Sequence, residues 1–472
     1  MEAGGGPPSS EAPDDRSQRG SIASSAALTR AQDVLIYLVG DFAPVPLTVE
    51  GLGVVSVQEL ARDVRQALRI PEAAQDAFAL WLCSPLLELQ LKPRHQPYKL
   101  CRQWQDLLYR FTEASNEDIS QDEPCLQYRR NVFYPKSKEL LVEDEGVLRL
   151  LYEEARGNIL SDRYPCDPDH WTGLGALALA LEEGPDLDTQ TLAAVLKEKK
   201  LVSFLPASVA YGAGGLLSTL RGRGGRQAAL EHKLLDEYRK TCCSGASEAP
   251  TLLHQYLGTC HALPYYGSAF FSGEIDRPVQ GLLQRGRRKA VSVGISLDGV
   301  YVMDVKEKHV LLGLLFSQLS WDHSYPEEEG DCHVLWLEFD GEEDGTAVNK
   351  LLKIYSKQAE LMSGLIEFCV ELSSPSGGVA SAATPDGVGG EEAGPRTAEE
   401  EPGKGRGGRR GRLSRQDSVV CSRVQNLSTI SYVDTGKEIK RLKPRRAASF
   451  FARQNTAPSY ATVQVGDGLE QG

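Results

Sequence analysis

The stretch LQYRRNVFYP, Leu126–Pro135, sets two arginines among three aromatic side chains within ten residues. Aromatic faces for bases and guanidinium groups for phosphates are the tools of a nucleic-acid platform, so that reading comes first. Charge argues against it. The 472-residue chain has a formal net charge of −13, and residues 373–472 hold 15 Lys+Arg against 11 Asp+Glu, leaving 37 against 54 before them. An acidic body repels a polyanion over most of its surface. Arg129 and Arg130 are therefore expected to pair with carboxylates of the body, and no nucleic-acid partner is expected.

On the N-terminal side, DVLIYLV (Asp33–Val39) and APVPLTVE read as strands. SVQELARDVRQALRI follows as a helix, with Ser56 as its cap, Glu59 three residues on, and Val57, Leu60, Val64, Ala67 and Leu68 at helical spacing. FALWLC and LLELQL complete a ββαββ order, the pattern of a ubiquitin-like roll. On the C-terminal side the texture turns helical. VLRLLYEEARGNIL, after Asp144, places Val147, Leu150, Leu151, Glu154 and Ala155 on one side. WTGLGALALALEEG reads as a buried helix, LLDEYRK and APTLLHQYLGTCHAL as two more, and GAGGLLSTLRGRGGR as a mobile loop. Beyond Tyr265 come the short β-like runs GSAFFSGEI, AVSVGIS, GVYVMDV, HVLLGLLF and HVLWLEF. Leu297-Asp298-Gly299 supplies a hairpin turn through positive φ, and NKLLKIY (Asn349–Tyr355) reads as the last strand. SKQAELMSGLIEFCVEL then closes the module as a helix capped by Ser356. Residues 1–30 and 373–472 are low in complexity and expected to be disordered.

Catalytic patterns are missing. The sequence has no GxxxxGK[ST] loop, HExxH, GxSxG elbow or kinase HRD/DFG set. Gly173-Leu174-Gly175-Ala176-Leu177-Ala178 matches GxGxxA but sits in a leucine-rich helix without the preceding strand of a dinucleotide site, so helix packing is expected there. The ten cysteines and eight histidines show no metal-ligand spacing. Scattered cysteines, an N-terminus without an apolar h-region and apolar runs too short to cross a bilayer suit a cytoplasmic protein with reduced thiols. No enzyme, cofactor or metal is expected.

LQYRRNVFYP followed by LLYEEARGNILSDRYP, together with FLP (Phe204–Pro206) and LPYYGSAFF (Leu263–Phe271), resembles the FERM domain family across residues 31–372. The resemblance implies an α+β, multi-lobed fold. It would comprise a ubiquitin-like roll over 31–113, a helical, acyl-CoA-binding-protein-like bundle over 114–263 and a pleckstrin/PTB-like barrel over 264–372. It also implies a peptide groove beside the last helix, formed here by Ser317, Leu319, Trp321 and His323 along one strand edge with Met362 and Leu365. A phosphoinositide site would draw on Lys92, Arg94 and Lys99, with His95 and Arg102 nearby, and on a basic hairpin loop holding Arg285, Arg287, Arg288 and Lys289. In the tail, Ser414, Ser418 and Ser449 follow arginines at spacings that basophilic kinases favour. The chain is thus expected to be a non-enzymatic adaptor, cytoplasmic and peripheral to the plasma membrane or other membranes, that binds cytoplasmic tails of membrane proteins. LWLCSPLLELQLKPRHQPYKL and LSTISYV (Leu427–Val433) are similar to one branch of the family. That branch implies inactive rhomboid-like proteins as partners, through them a cell-surface sheddase metalloprotease, and a link to Wnt co-receptor signalling. The alternative is a membrane–cytoskeleton structural linker, although no actin-binding C-terminal segment is recognisable.

Overall fold

The computed structural model describes residues 31–185, 187–211, 223–243, 248–277, 288–326, 332–343, 345–373 and 427–432. Contacts divide the chain into two compact units, one of residues up to Tyr134 with Lys138–Gly157, the other of Pro135–Ser137 with Asn158 onward.

In the first unit, β1 (Gln32–Leu38) and β2 (Val45–Val49) form a hairpin. Helix α1 (Val57–Leu68) begins with the expected capping box: Ser56 N–H donates to Glu59 at 2.8 Å and Glu59 N–H to Ser56 Oγ at 3.3 Å. Its buried face is Val57, Leu60, Ala61 and Val64. Next come β3 (Phe78–Cys83), β4 (Glu88–Gln90), and helices α2 (Pro97–Arg102), α3 (Trp104–Phe111) and α4 (Asn116–Gln121). The decisive strand is β5 (Cys125–Arg130). It lies in the middle of the sheet, in the order β2-β1-β5-β3-β4, parallel to β1 and antiparallel to β3. LQYRR is therefore the central strand of the first sheet, and the roll does not end at residue 113 as the sequence suggested.

The reason lies in its arginines. Arg129 reaches Glu88 at 3.2 Å and Glu154 at 3.3 Å and lies over the Trp81 ring. Arg130 pairs with Glu139 at 2.7 Å and donates to the Tyr134 carbonyl at 2.9 Å. Glu139 comes from the short α5 (Lys136–Glu139) and Glu154 from α6 (Glu145–Leu160). Asp144 Oδ1 accepts from Val147 N–H at 2.9 Å where α6 starts. The buried stripe of α6 is Val147, Leu148, Leu151, Tyr152, Ala155 and Ile159, while Leu150 and Glu154 are only half-buried.

The second unit begins where α6 turns. Asp162 adopts φ 57°, a left-handed conformation, and Ser208 N–H donates to its carboxylate at 2.9 Å. Helix α7 (Pro168–Glu183) is buried nearly all round and packs on α10 (Arg223–Cys243) and α11 (Ala249–His261). The shorter α8 (Thr189–Lys199) and α9 (Ala207–Tyr211) lie between them in sequence. A Cβ on Gly175 would sit 2.8 Å from Leu205 Cδ2 and 2.9 Å from the Phe204 carbonyl. The GxGxxA match is thus a close approach inside a helix core. Arg223–Arg226, expected in a loop, are the first residues of α10, whereas 212–222 lie outside the described residues.

Seven antiparallel strands follow: β6 (Ala269–Asp276), β7 (Arg288–Ile295), β8 (Gly299–Asp304), β9 (Val310–Leu315), β10 (Leu319–Ser324), β11 (Val334–Glu343) and β12 (Thr346–Tyr355). Their order is β10-β11-β12-β6-β7-β8-β9, with β12 joining β6 at the single pair Tyr355↔Glu274. Helix α12 (Ala359–Ser373) packs on β7, β10 and β11, with Ala359–Ile366 entirely buried. A further strand, β13 (Ile430–Tyr432), pairs with β12. Gly299 does not have the positive φ expected of its turn. Glycine is required because a Cβ there would lie 2.1 Å from the Leu314 carbonyl oxygen.

Candidate functional site: an open strand edge beside the last helix

β10 hydrogen-bonds to β11 alone, from Leu319↔Phe339 to Ser324↔Val334, so its other edge has no strand beside it among the described residues. Side chains opposite one another in an antiparallel pair share a face. Leu319, Trp321 and His323 face Phe339, Leu337 and Leu335, which are 1%, 0% and 0% exposed, and so point to the side that α12 covers. Leu319 is buried, whereas Trp321 and His323 are half-buried at the rim. His323 Nε2 lies 3.3 Å from Tyr325 Oη, and the Tyr325 ring stacks edge-on to His333. Ser317 is exposed in a one-turn 3-10 helix preceding the strand.

Met362 and Leu365, expected to line the groove, are 0% and 4% exposed and belong to the core instead. Helical periodicity selects the face that packs on the sheet, and the groove needs the neighbouring one. Away from the buried face α12 also carries Phe368, half-buried, and Leu372, 46% exposed, four residues apart. Sequence reasoning missed both, and the i, i+4 apolar pair at the end of the helix was the available signal.

The basic residues separate into two groups. In the first unit, Arg94, Lys99 and Arg102 are exposed around a turn that receives the start of α1, since Val57 N–H donates to the His95 carbonyl at 2.9 Å. Burial, with Lys92 adding to it, holds His95 below the usual histidine range, and its Nδ1 accepts from Lys92 N–H at 3.2 Å. In the second unit, Arg288 and Lys289 belong to strand β7, not to a loop, and both are engaged. Arg288 lies 3.6 Å from the Tyr355 ring centroid, and Lys289 pairs with Asp304, whose side chain is fully buried. Burial raises the Asp304 pKa, but Lys289 and the amides of Glu307 and Lys306 outweigh it and hold the carboxyl below its ordinary 3.8. Arg285, Arg287, Ser414, Ser418 and Ser449 lie outside the described residues.

Burial pushes the Cys83, Cys166 and Cys369 thiols up to about 12, the opposite of an activated nucleophile. Among the described residues no group of three or more His, Cys, Asp and Glu could hold a metal ion, and no helix is long and apolar enough to cross a membrane. An open concavity of about 520 Å³ on the helical layer is lined by Gly173, Leu177, Glu237, Lys240, Thr241 and Thr259 among others, and Lys240 and Glu237 pair with each other across 2.9 Å.

The motifs that suggested a family are bonded to one another. Tyr164, from the NILSDRYP stretch, accepts at its hydroxyl from Gly267 N–H at 3.0 Å, and Gly267, from LPYYGSAFF, has φ 73°. Arg163 lies 4.7 Å from the centroid of the Phe270 ring, and Tyr164 stands 5.8–6.0 Å from the rings of Tyr265, Tyr266 and Phe270.

Residues 137–271 match the FERM central domain, and residues 289–365 match the KRIT1/FRMD8 FERM domain C-lobe. The chain is 67% identical to FERM domain-containing protein 8 of Danio rerio over 97% of this chain and 96% of that protein. It is 54% identical to FERM domain-containing protein 8 of Homo sapiens, over 98% and 97% respectively. The human Myosin 7b C-terminal MyTH4-FERM domain overlays on 75% of this chain and 62% of that one, with 15% identity and a TM-score of 0.49. With the likeness to these FERM domain-containing protein 8 relatives running almost end to end, the chain belongs to the FERM family, in its FERM domain-containing protein 8 group.

Proposed function

We propose that the chain is a non-enzymatic adaptor that takes the cytoplasmic tail of a membrane protein as an added strand on the outer edge of β10. One observation carries the reading. Among the described residues β10 has a single strand neighbour, and Trp321 and His323 stand half-buried on its helix-facing side. A peptide extended along it would gain main-chain hydrogen bonds from the edge. Its alternate side chains would reach Trp321, His323 and the Phe368–Leu372 flank of α12. Membership of the FERM domain-containing protein 8 group supports the cytoplasmic regions of inactive rhomboid-like proteins as the tails bound. Through them the chain would serve a cell-surface sheddase, with a link to Wnt co-receptor signalling. On this reading it works at the cytoplasmic face of a membrane.

The test is binding of membrane-protein tail peptides to the full chain carrying Trp321→Asp. Leu365→Asp is unsuitable because Leu365 is 4% exposed and would unfold the barrel. Lost binding with an unchanged melting temperature is the expected result, and unchanged binding defeats the proposal. The exposed trio Arg94, Lys99 and Arg102 supports a subsidiary contact with anionic phosphoinositide headgroups. Charge reversal of all three should abolish the extra sedimentation with anionic over neutral liposomes, and equal sedimentation on both by the wild type would rule the contact out.

A further inference from the structure

β12 is ten residues long, yet β6 meets it only at Tyr355↔Glu274. From Thr346 to Ile354 the side of β12 turned away from β11 is therefore not paired with β6–β10 among the described residues. An open row of main-chain donors and acceptors is a template for any extended segment that reaches it. Within the described structure one does. Ile430–Tyr432, as β13, runs antiparallel along it with the register Asn349↔Tyr432, Lys350↔Ser431 and Leu351↔Ile430. Leu427, three residues upstream, is 5% exposed although it lies far beyond the barrel in sequence. Lys350, at the centre of the docked stretch, is 7% exposed, and its aliphatic stem crosses Gly341, where an added Cβ would come within 2.9 Å of Lys350 Cγ.

We propose that the outer edge of β12 at Asn349–Leu351 is a second strand-docking site, separate from the β10 edge, and that its occupant is this chain's own segment Leu427–Tyr432, bound reversibly. The size of the contact argues for reversibility. Three paired residues and one buried leucine bind weakly from free solution. Attachment through residues 374–426 turns the encounter into an intramolecular one, where effective concentrations reach the millimolar range. The segment is thus held by its tether as much as by its contacts. The chain between Ser373 and Leu427 then starts and ends on the same barrel.

Hydrogen exchange followed by mass spectrometry on the full chain tests this, using Ser431→Pro, which removes a strand N–H, and separately Leu427→Asp, which charges the anchor. Both variants should speed exchange in peptides covering 346–351 by about tenfold or more while leaving 291–304 unchanged. A synthetic peptide spanning residues 426–434, added at millimolar concentration to either variant, should restore the lost protection. Unchanged exchange at 346–351 in both variants would overturn the proposal. So would loss of protection spreading to 291–304, because the segment would then be part of the barrel core. Failure of the peptide to restore protection would equally count against a reversible occupant.

Discussion

Replacing Tyr164 with Phe removes one oxygen and leaves the ring in place, which isolates the bond between the two family motifs. Tyr164 is 3% exposed, and its hydroxyl is the acceptor for Gly267 N–H at 3.0 Å in a buried setting. The substitution leaves a backbone donor buried without that acceptor, at a cost of about 1–3 kcal/mol. The aromatic packing against Tyr265, Tyr266 and Phe270 survives. Each kcal/mol lost should lower the melting temperature by about 2–4 °C in a unit of this size. Tyr164→Ala also empties the ring site, and the loss should rise to about 3–5 kcal/mol. Calorimetry on the three proteins gives the ordering, and hydrogen exchange at Gly267 locates the effect. If Y164F melted with the wild type and Gly267 exchanged no faster, the bond would not be what joins the motifs.

Arg130→Met should cost about 3–5 kcal/mol, because Glu139 keeps its charge with 0% side-chain exposure and no guanidinium beside it. Adding Glu139→Leu to it should recover most of the loss in urea denaturation, since an apolar pair of similar volume carries no buried charge. Asp304 sets an acid limb. Its folded pKa lies below the ordinary 3.8, so the unfolded chain binds more protons there. Its contribution is complete above about pH 4 and disappears as pH falls through the folded value. Asp304→Asn should therefore destabilise at pH 7, by about 1–3 kcal/mol. That is less than a fully buried pair would lose, because Lys289 is 27% exposed. It should also flatten the stability–pH curve below pH 4, and an unaltered acid limb would remove Asp304 from that role.

What could be read from the sequence was what periodicity and local chemistry encode. Ser56 and Glu59 announce α1 within four residues, and the apolar run of α7 announces a buried helix. LQYRR was misplaced because the partners of Arg129 are distant in sequence: Glu88 lies 41 residues before it, and Glu154 lies 25 after it. Arg288 and Lys289 looked like loop cations because Tyr355 and Asp304, which hold them, stand on other strands. Leu319, Met362 and Leu365 were placed in the groove that the resemblance implies, and all three are buried in the core. β13 escaped notice because three residues of strand inside a low-complexity tail leave no periodic trace.

The central position of β5 also bears on how the protein is made. Synthesis runs from the N-terminus, and folding can complete only what has already emerged. β1 and β2 form one hairpin and β3 and β4 another, and among the described residues only β5 joins them, with Tyr37 waiting for Gln127. Until residue 130 is available the first sheet consists of two separate ribbons, each with an unprotected edge. Even then Arg129 and Arg130 lack their counter-charges until Glu139 and Glu154 follow. The nascent first unit is therefore committed only once residue 154 has been translated, and the interval before that is when it most needs shielding from other unpaired strands.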